Sequence, residues 1–181
     1  VVVRIETPLL GGFNVYNLTA ALAAARHLGV PASTLREHAR RLLGVPGRLQ
    51  RVRDLTSSTH VFVDYAHTPD APQRPLQRLR SLTEGQVWVV FGCGGDRDQG
   101  KRPKMGRIAE SYADHVVITS DNPRFEDPET IIEHIRAGFV GAKRPRIIVS
   151  RREAIEYAVS GSQANDVVLI AGKGHETYQE V

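Results

Sequence analysis

Apolar residues in the first part of the chain follow a helical spacing. From Asn14 onward they recur every three or four positions, and Gly29 followed by Pro31 ends the pattern in the order typical of a helix end. A second helical pattern covers about residues 33–43, and residues 1–5 resemble the end of a strand. This part of the chain is therefore predicted to be mainly helical.

Beyond Gly47 the pattern changes to β-branched runs that alternate with helical stretches. Strands are predicted at 48–54, 60–65, 86–91, 115–120, 146–149 and 166–170, and helices at about 70–82, 103–112, 128–139 and 151–160. This alternation predicts an α/β fold, Rossmann-like, with a mostly parallel sheet and helices on both faces. The Gly/Pro cluster at 44–47 predicts a domain boundary, with a small helical remnant at 1–47 and an α/β domain at 48–181.

Local signals predict where individual helices start. Asp127 before Pro128 is a favourable start for one helix, and the run from Ser150 to Glu153 is a capping box for the next. Pro72 and Pro75 both lie in the predicted helix 70–82, so we expect that helix to start late or to kink.

Composition excludes several classes of protein. The 181 residues are 41% hydrophobic and carry a net charge of +4, and no apolar run is long enough to span a bilayer. The single cysteine, Cys93, rules out a Cys-rich zinc site and suits a reducing compartment. Basic residues are spread out without interleaved aromatic residues, so we expect small anionic ligands and no nucleic acid. Because Val1 is not a natural start, we expect this chain to be a fragment. We also expect the protein to be cytoplasmic and monomeric.

The loop from Gly92 to Arg102 predicts an anion-binding site. Gly95 to Lys101 nearly forms a phosphate loop, but Arg102 stands where Ser or Thr would contact magnesium. The dinucleotide fingerprint fails as well, because Arg97 occupies its last glycine position. Exposed amides and cations remain, and these favour an anion over a plain mobile loop.

Three further predicted strand ends carry polar groups. Asp121, Asn122 and Arg124 follow one strand, where they form either a ligand site or a capped turn with solvated charges. Asp64 and His67 follow another, where they could be catalytic or bind a ribose hydroxyl; alternatively Thr68 caps the next helix and His67 packs nearby.

Gly172 and Glu176 follow the last predicted strand, where glycine permits close backbone approach and the carboxylate can accept from an ammonium. Because ligands of open α/β sheets bind at the carboxyl ends of strands, these loops should converge. They match a zwitterion with more than one carboxylate.

Together these residues resemble the Mur ligase family, in the type that adds the third amino acid to the muramyl peptide. The resemblance rests on the following segments: 13–17, 45–48, 63–70, 91–103, 121–124 and 172–176. It implies an ATP-dependent amide ligase that uses Mg²⁺ and an acyl-phosphate intermediate. It also implies that this chain is the end of a central ATP-binding domain followed by nearly all of a C-terminal domain.

The resemblance assigns residues to two sites. The implied ATP-binding residues are Asn14, Asn17, Arg48, Asp64 and His67. The implied amino-acid-binding residues are Arg102, Asp121, Asn122, Arg124, Gly172 and Glu176, with Asp121 as a brace. The segment from Asp121 to Arg124 resembles the version found in enzymes that add meso-diaminopimelate to a UDP-muramyl dipeptide. No catalytic residue or metal ligand is assigned, since those elements of the family would lie upstream.

Alternatives stay open at this point. A lysine-adding ligase is disfavoured by Arg124, because lysine lacks the carboxylate that this arginine would pair with. A folylpolyglutamate-type ligase is disfavoured by the combination of the 121–124 and 172–176 segments. A non-catalytic module that binds amino acids is the remaining alternative.

Overall fold

A computed structural model describes residues 2–9, 11–52, 59–68 and 72–179. The chain forms two compact units, residues 1–45 and 46–181. The first contains helix α1 (Gly12–His27) and helix α2 (Ala32–Ala39), as the helical spacing predicts. The predicted strand at 1–5 is wrong, because residues 2–5 are irregular and no described strand pairs with them.

The second unit contains one six-stranded sheet. Its strands are β1 (Gln50–Arg51), β2 (His60–Asp64), β3 (Val87–Phe91), β4 (His115–Ile118), β5 (Arg146–Ile147) and β6 (Val167–Ala171). The order is β1-β2-β6-β3-β4-β5, and only the edge pair β1–β2 is antiparallel. The predicted α/β class with a mostly parallel sheet is confirmed.

Helices cover both faces of this sheet. They are α3 (Gln73–Arg80), α4 (Lys101–Tyr112), α5 (Pro128–Arg136) and α6 (Arg151–Gly161). Ala154 and Ala158 of α6 pack against Trp88 and Val90 on one face. Because side chains alternate along a strand, Val87, Val89 and Phe91 point to the other face. Helix α3 contacts β3 on that face, α4 packs against α3, and α5 packs against α4. This double coverage explains why β3 is apolar at every position.

The predicted helix starts are largely confirmed. Asp127 caps α5 by accepting from the Thr130 N–H at 2.9 Å, and the Ser150 hydroxyl accepts from the Glu153 N–H at 3.4 Å. Helix α3 starts late, at Gln73, so that Pro72 is its N-cap and Pro75 lies in its first turn, where a missing donor costs little. Thr68 therefore does not cap this helix. Residues 69–71, between Thr68 and Pro72, lie outside the described part of the chain.

Candidate functional site

The carboxyl ends of β2, β3, β4 and β6 lie at the same end of the sheet, because these strands are parallel. Each strand is followed by a polar loop: residues 65–68, 92–100, 119–127 and 172–178. Open α/β sheets bind ligands at this end. The candidate site is built on these loops, as the sequence predicts.

Asp64 ends β2 in a buried position beside the turn that precedes β1. Its Oδ2 accepts from the Leu49 N–H at 2.6 Å, and Leu49 has a positive φ of 46°. Burial raises the pKa of Asp64, while that hydrogen bond and the Arg48 charge oppose the increase. Arg48 itself is exposed, with its guanidinium carbon 5.1 Å from the centre of the Tyr65 ring. Asp64 and Arg48 are thus brought together, one as an anion and one as an accessible cation.

The turn at Gly47 is in close contact with the loop that follows β6. A Cβ on Gly47 would lie 2.3 Å from the His175 backbone nitrogen, and its φ of 69° also favours glycine. The Gly47 carbonyl accepts from the Tyr65 N–H at 2.7 Å. The position beside Arg48 therefore requires glycine, which the sequence pattern Val-Pro-Gly-Arg did not explain by itself.

His67 is exposed and stays next to Tyr65. Its Nδ1 lies 2.8 Å from the Tyr65 carbonyl, and the two ring centres are 4.4 Å apart. Lys101 Nζ donates to the His67 carbonyl at 3.0 Å, so the start of α4 holds this loop. The role of His67 at an ATP site stays a prediction.

The loops after β3 and β4 are joined by reciprocal hydrogen bonds. The Gly95 N–H donates to the Asn122 carbonyl at 2.9 Å, and Arg124 Nη1 donates to the Gly95 carbonyl at 3.0 Å. The Asp96 N–H donates to Glu126 Oε1 at 2.6 Å. A Cβ on Gly95 would lie 1.8 Å from the Pro123 carbonyl oxygen, so only glycine permits this contact. The two loops therefore behave as one structural element.

Arg102 is completely buried and forms a bidentate ion pair with Glu126. Its Nη1 donates to Glu126 Oε2 at 2.8 Å and its Nη2 donates to Oε1 at 2.7 Å; Nη2 also donates to the Gly94 carbonyl at 3.3 Å. The pair lowers the pKa of Glu126 to about 2. In this arrangement Arg102 joins the two loops and presents no exposed group to a ligand. Arg97, a cation of the same loop, is exposed.

Asp121 and Gly172 lie beside a buried arginine that the sequence analysis did not single out. Arg151, at the start of α6, donates to the Ala171 carbonyl at 3.0 Å and places Nη1 3.9 Å from Asp121 Oδ2. Gly172 has a φ of 117°, and a Cβ there would lie 2.7 Å from the same carboxylate oxygen. Asp121 thus occupies a bracing position between two strand-end loops.

Glu176 and Asn122 meet at the centre of the site. Glu176 Oε1 accepts from the Tyr65 hydroxyl at 3.1 Å, and Glu176 Oε2 accepts from Asn122 Nδ2 at 3.4 Å. The hydrogen bond to Glu176 raises the pKa of Tyr65. Arg124 follows Asn122 by two residues, with a positive φ of 53°. A carboxylate and an amide are therefore in contact, and Arg124 lies on the same loop as the amide.

Sequence reasoning missed Lys173, which is buried next to these groups. Its Nζ donates to Asn122 Oδ1 at 2.7 Å and lies 3.8 Å from Glu176 Oε2. The available signal was its position between Gly172 and Gly174, directly after a buried strand. The two glycines let the backbone at this position approach its neighbours closely, so the Lys173 side chain lies within the site.

Asn14 and Asn17 both lie on α1 in the first unit. They are three residues apart, so they share one side of the helix; Asn14 is half-buried and Asn17 is exposed. Their assignment to adenine stays a prediction.

The described residues contain no group of three or more His, Cys, Asp or Glu side chains that could hold a metal ion. Within the same residues, no helix has the length and apolarity needed to cross a membrane.

An open, mostly parallel sheet whose strand ends carry a carboxylate, an amide and a guanidinium is typical of α/β domains that bind a small charged ligand. The chain belongs to the Mur ligase family: residues 47–174 match the family described as "Mur ligase, glutamate ligase domain". The resemblance drawn from the motifs is thereby confirmed.

Individual relatives agree with this assignment. The chain is 48% identical over 176 residues to UDP-N-acetylmuramoyl-L-alanyl-D-glutamate–2,6-diaminopimelate ligase of Vibrio vulnificus (strain YJ016), covering 97% of this chain and 36% of the relative. It is also 48% identical over 175 residues to the ligase of the same name from Coxiella burnetii (strain RSA 493 / Nine Mile phase I), again covering 97% and 36%. The chain thus spans about a third of the length of these relatives.

Solved structures show the same fold. A structure of a ligase with the same name is 50% identical and superposes with a TM-score of 0.73, covering 97% of this chain and 36% of that one. Escherichia coli FolC in complex with ADP is 25% identical with a TM-score of 0.71, covering 96% and 39%.

Proposed function

We propose that the protein containing this chain is an ATP-dependent ligase that adds meso-diaminopimelate to UDP-N-acetylmuramoyl-L-alanyl-D-glutamate. The observation that carries the proposal is the contact between Asn122 and Glu176, 3.4 Å apart, with Arg124 on the same loop as Asn122. The proposal is supported because an amide can donate to a carboxylate, a guanidinium can do the same, and the carboxylate of Glu176 can accept from an ammonium. The names of the relatives at 48% identity support the same substrate.

The proposed reaction has two steps. The D-glutamate carboxylate takes the γ-phosphoryl group of ATP, which yields an acyl phosphate and ADP. The amine of diaminopimelate then attacks the acyl carbon, an amide forms, inorganic phosphate leaves and the amine loses a proton. Mg²⁺, when bound, would stabilise the charge of the phosphoryl group.

For ATP, this chain would supply polar contacts. Arg48 is an exposed cation suited to phosphate oxygens, and Asp64 is a carboxylate suited to ribose hydroxyls. His67 borders this region, while Asn14 and Asn17 offer amides to adenine. Relatives solved with ADP support a nucleotide near this domain.

For the amino acid, Glu176 would accept hydrogen bonds from the distal ammonium, together with the Gly172 carbonyl. Asn122 and Arg124 would donate to the distal carboxylate, since guanidinium groups pair with carboxylates in a bidentate way. Because Arg102 is committed to Glu126, we propose that Arg97 supplies the second cation that the sequence analysis had assigned to Arg102. Lysine lacks that carboxylate, so binding it would leave a cationic pocket unpaired.

Calorimetry tests the proposal, with meso-diaminopimelate, L-lysine and L-glutamate titrated into the wild-type chain and into Arg124→Ala. Lys104→Ala, an exposed cation on α4, is the control for charge. We expect only diaminopimelate to bind the wild type and the control, and Arg124→Ala to weaken it at least about tenfold. Equal binding of lysine would overturn the role of Arg124, and preference for glutamate would favour the folylpolyglutamate-type alternative.

If no ligand binds the isolated chain, the same comparison is made as turnover by the complete ligase. Release of phosphate should then depend on diaminopimelate and not on lysine. Binding of diaminopimelate without any turnover in the complete protein would instead support the non-catalytic module.

A further inference from the structure

Lys173 is a buried cation placed between two of the proposed ligand-binding groups. Its Nζ donates to Asn122 Oδ1 at 2.7 Å, lies 3.8 Å from Glu176 Oε2, and is 5.5 Å from the centre of the Tyr178 ring. Only about a tenth of the side chain is exposed. A lysine held this way is a poor direct partner for a ligand, yet it contacts the Asn122 amide, which the proposed function assigns to the ligand.

The chemistry of the three side chains fixes which way the Asn122 amide points. An ammonium only donates hydrogen bonds, and an ionised carboxylate only accepts them. Lys173 therefore requires the amide oxygen on its side, and Glu176 requires the amide NH₂ group on the other. The reversed amide would set donor against donor and acceptor against acceptor.

We infer that Lys173 is a positioning residue that holds Asn122 with its NH₂ group toward the ligand, so that Asn122 acts as a donor to a carboxylate. This inference deepens the proposed function and rests on it for the identity of the ligand. It makes Lys173 a determinant of specificity for an amino acid with a second carboxylate over one without it.

A purely electrostatic role of Lys173 predicts different results. The ammonium lies close to Glu176, so its removal would strengthen the attraction between Glu176 and the ammonium of a ligand. Loss of a positioning donor would instead free the Asn122 amide to rotate and would weaken recognition of the carboxylate. The two roles are therefore separated by how each ligand responds.

The binding test compares meso-diaminopimelate with L-lysine, which lacks the second carboxylate, and with 2-aminopimelate, which lacks the second amine. Lys173→Met removes charge and donor, Lys173→Gln removes the charge and keeps a donor, and Lys104→Met is an exposed control. We expect Lys173→Met to weaken diaminopimelate and 2-aminopimelate about tenfold and lysine much less. Lys173→Gln should stay within about threefold of the wild type, and the control should be unchanged.

Equal losses in Lys173→Gln and Lys173→Met would overturn the inference, because a donor kept at position 173 would then make no difference. Tighter binding of lysine and diaminopimelate by Lys173→Met would overturn it as well. Thermal denaturation of each variant identifies any loss that follows from unfolding. If Lys173→Met does not fold, Lys173→Gln and Asn122→Asp replace it: Asn122→Asp keeps an acceptor for Lys173 but loses the NH₂ group, so it should lose the preference for diaminopimelate over lysine.

A spectroscopic arm needs no ligand and is independent of the proposed function. The Asn122 side-chain NH₂ signals are assigned in ¹⁵N-labelled chain by their loss in Asn122→Ala. We expect them to move toward the positions of a solvated asparagine in Lys173→Met and to stay near the wild-type positions in Lys173→Gln. Unchanged signals in Lys173→Met would overturn the role of Lys173, whereas failure of the complete wild-type ligase to use diaminopimelate would overturn only the proposed ligand.

Discussion

Cys93 should report whether the loop after β3 is held as the structure indicates. The thiol is buried directly after the strand, with Sγ 3.6 Å from Met105 Sδ, and burial raises its pKa to about 12. Next to it, the Gly94 carbonyl accepts a hydrogen bond from Arg102. A reagent that attacks the thiolate therefore measures how often this part of the loop opens.

The structure gives the size of the effect. At about pH 8, a thiol with a pKa of about 12 is ionised in about one molecule in ten thousand, against about a quarter for an ordinary cysteine thiol. Thiolates of higher pKa are more nucleophilic, which recovers a factor of roughly 30. Titration alone should then slow disulfide exchange about 40- to 100-fold, and burial should slow it further.

The assay follows the absorbance released by 2,2′-dithiodipyridine, a neutral disulfide, with glutathione as the reference thiol. Arg102→Met should accelerate the reaction of Cys93 at least about tenfold, because the bonds to Glu126 and Gly94 are lost. Arg107→Met, an exposed arginine of the same helix, should leave the rate unchanged. A wild-type rate close to that of glutathione, or no acceleration in Arg102→Met, would refute the proposed brace.

Three further results are expected. The ion pair with Arg102 lowers the pKa of Glu126 from 4.5 to about 2, so the stabilisation by this pair is present above about pH 4.5 and is lost as the pH falls toward 2. Glu126→Gln should therefore lose less stability in acid than the wild type, as measured by urea titrations. An equal loss in both proteins would contradict this. Leu79→Ala should lower the free energy of unfolding by about 2–5 kcal/mol, while Leu82→Ala, at a 47% exposed position, should change it by less than about 1 kcal/mol in the same titrations. Tyr65→Phe removes the hydroxyl that donates to Glu176, so calorimetry should show about three- to tenfold weaker binding of diaminopimelate and unchanged binding of 2-aminopimelate.

The fold was accessible from sequence because its central strands are covered on both faces. Strand β3 is buried at every position and β6 at all but one, so both appear as continuous apolar runs, rich in β-branched residues, between polar loops. The first and last residues of the edge strands were harder to predict, since β1 and β5 each have two exposed residues and pair on one side only. The convergence of the loops could be predicted from the parallel strands alone, without knowledge of side-chain contacts.

The roles of individual cations could not be obtained in this way. The sequence places Arg97, Lys101 and Arg102 in one loop, whereas the structure starts α4 at Lys101 and turns Arg102 toward Glu126 and His134. Glu126 lies 24 residues away in the chain, and its loop reaches Arg102 only because β3 and β4 are neighbours. A buried arginine that joins two loops and an exposed arginine that binds a ligand look the same in a sequence. The two kinds differ in their contacts: Arg102 joins the loops that carry Arg97 and Arg124, so we expect the positions of both to depend on the ion pair between Arg102 and Glu126.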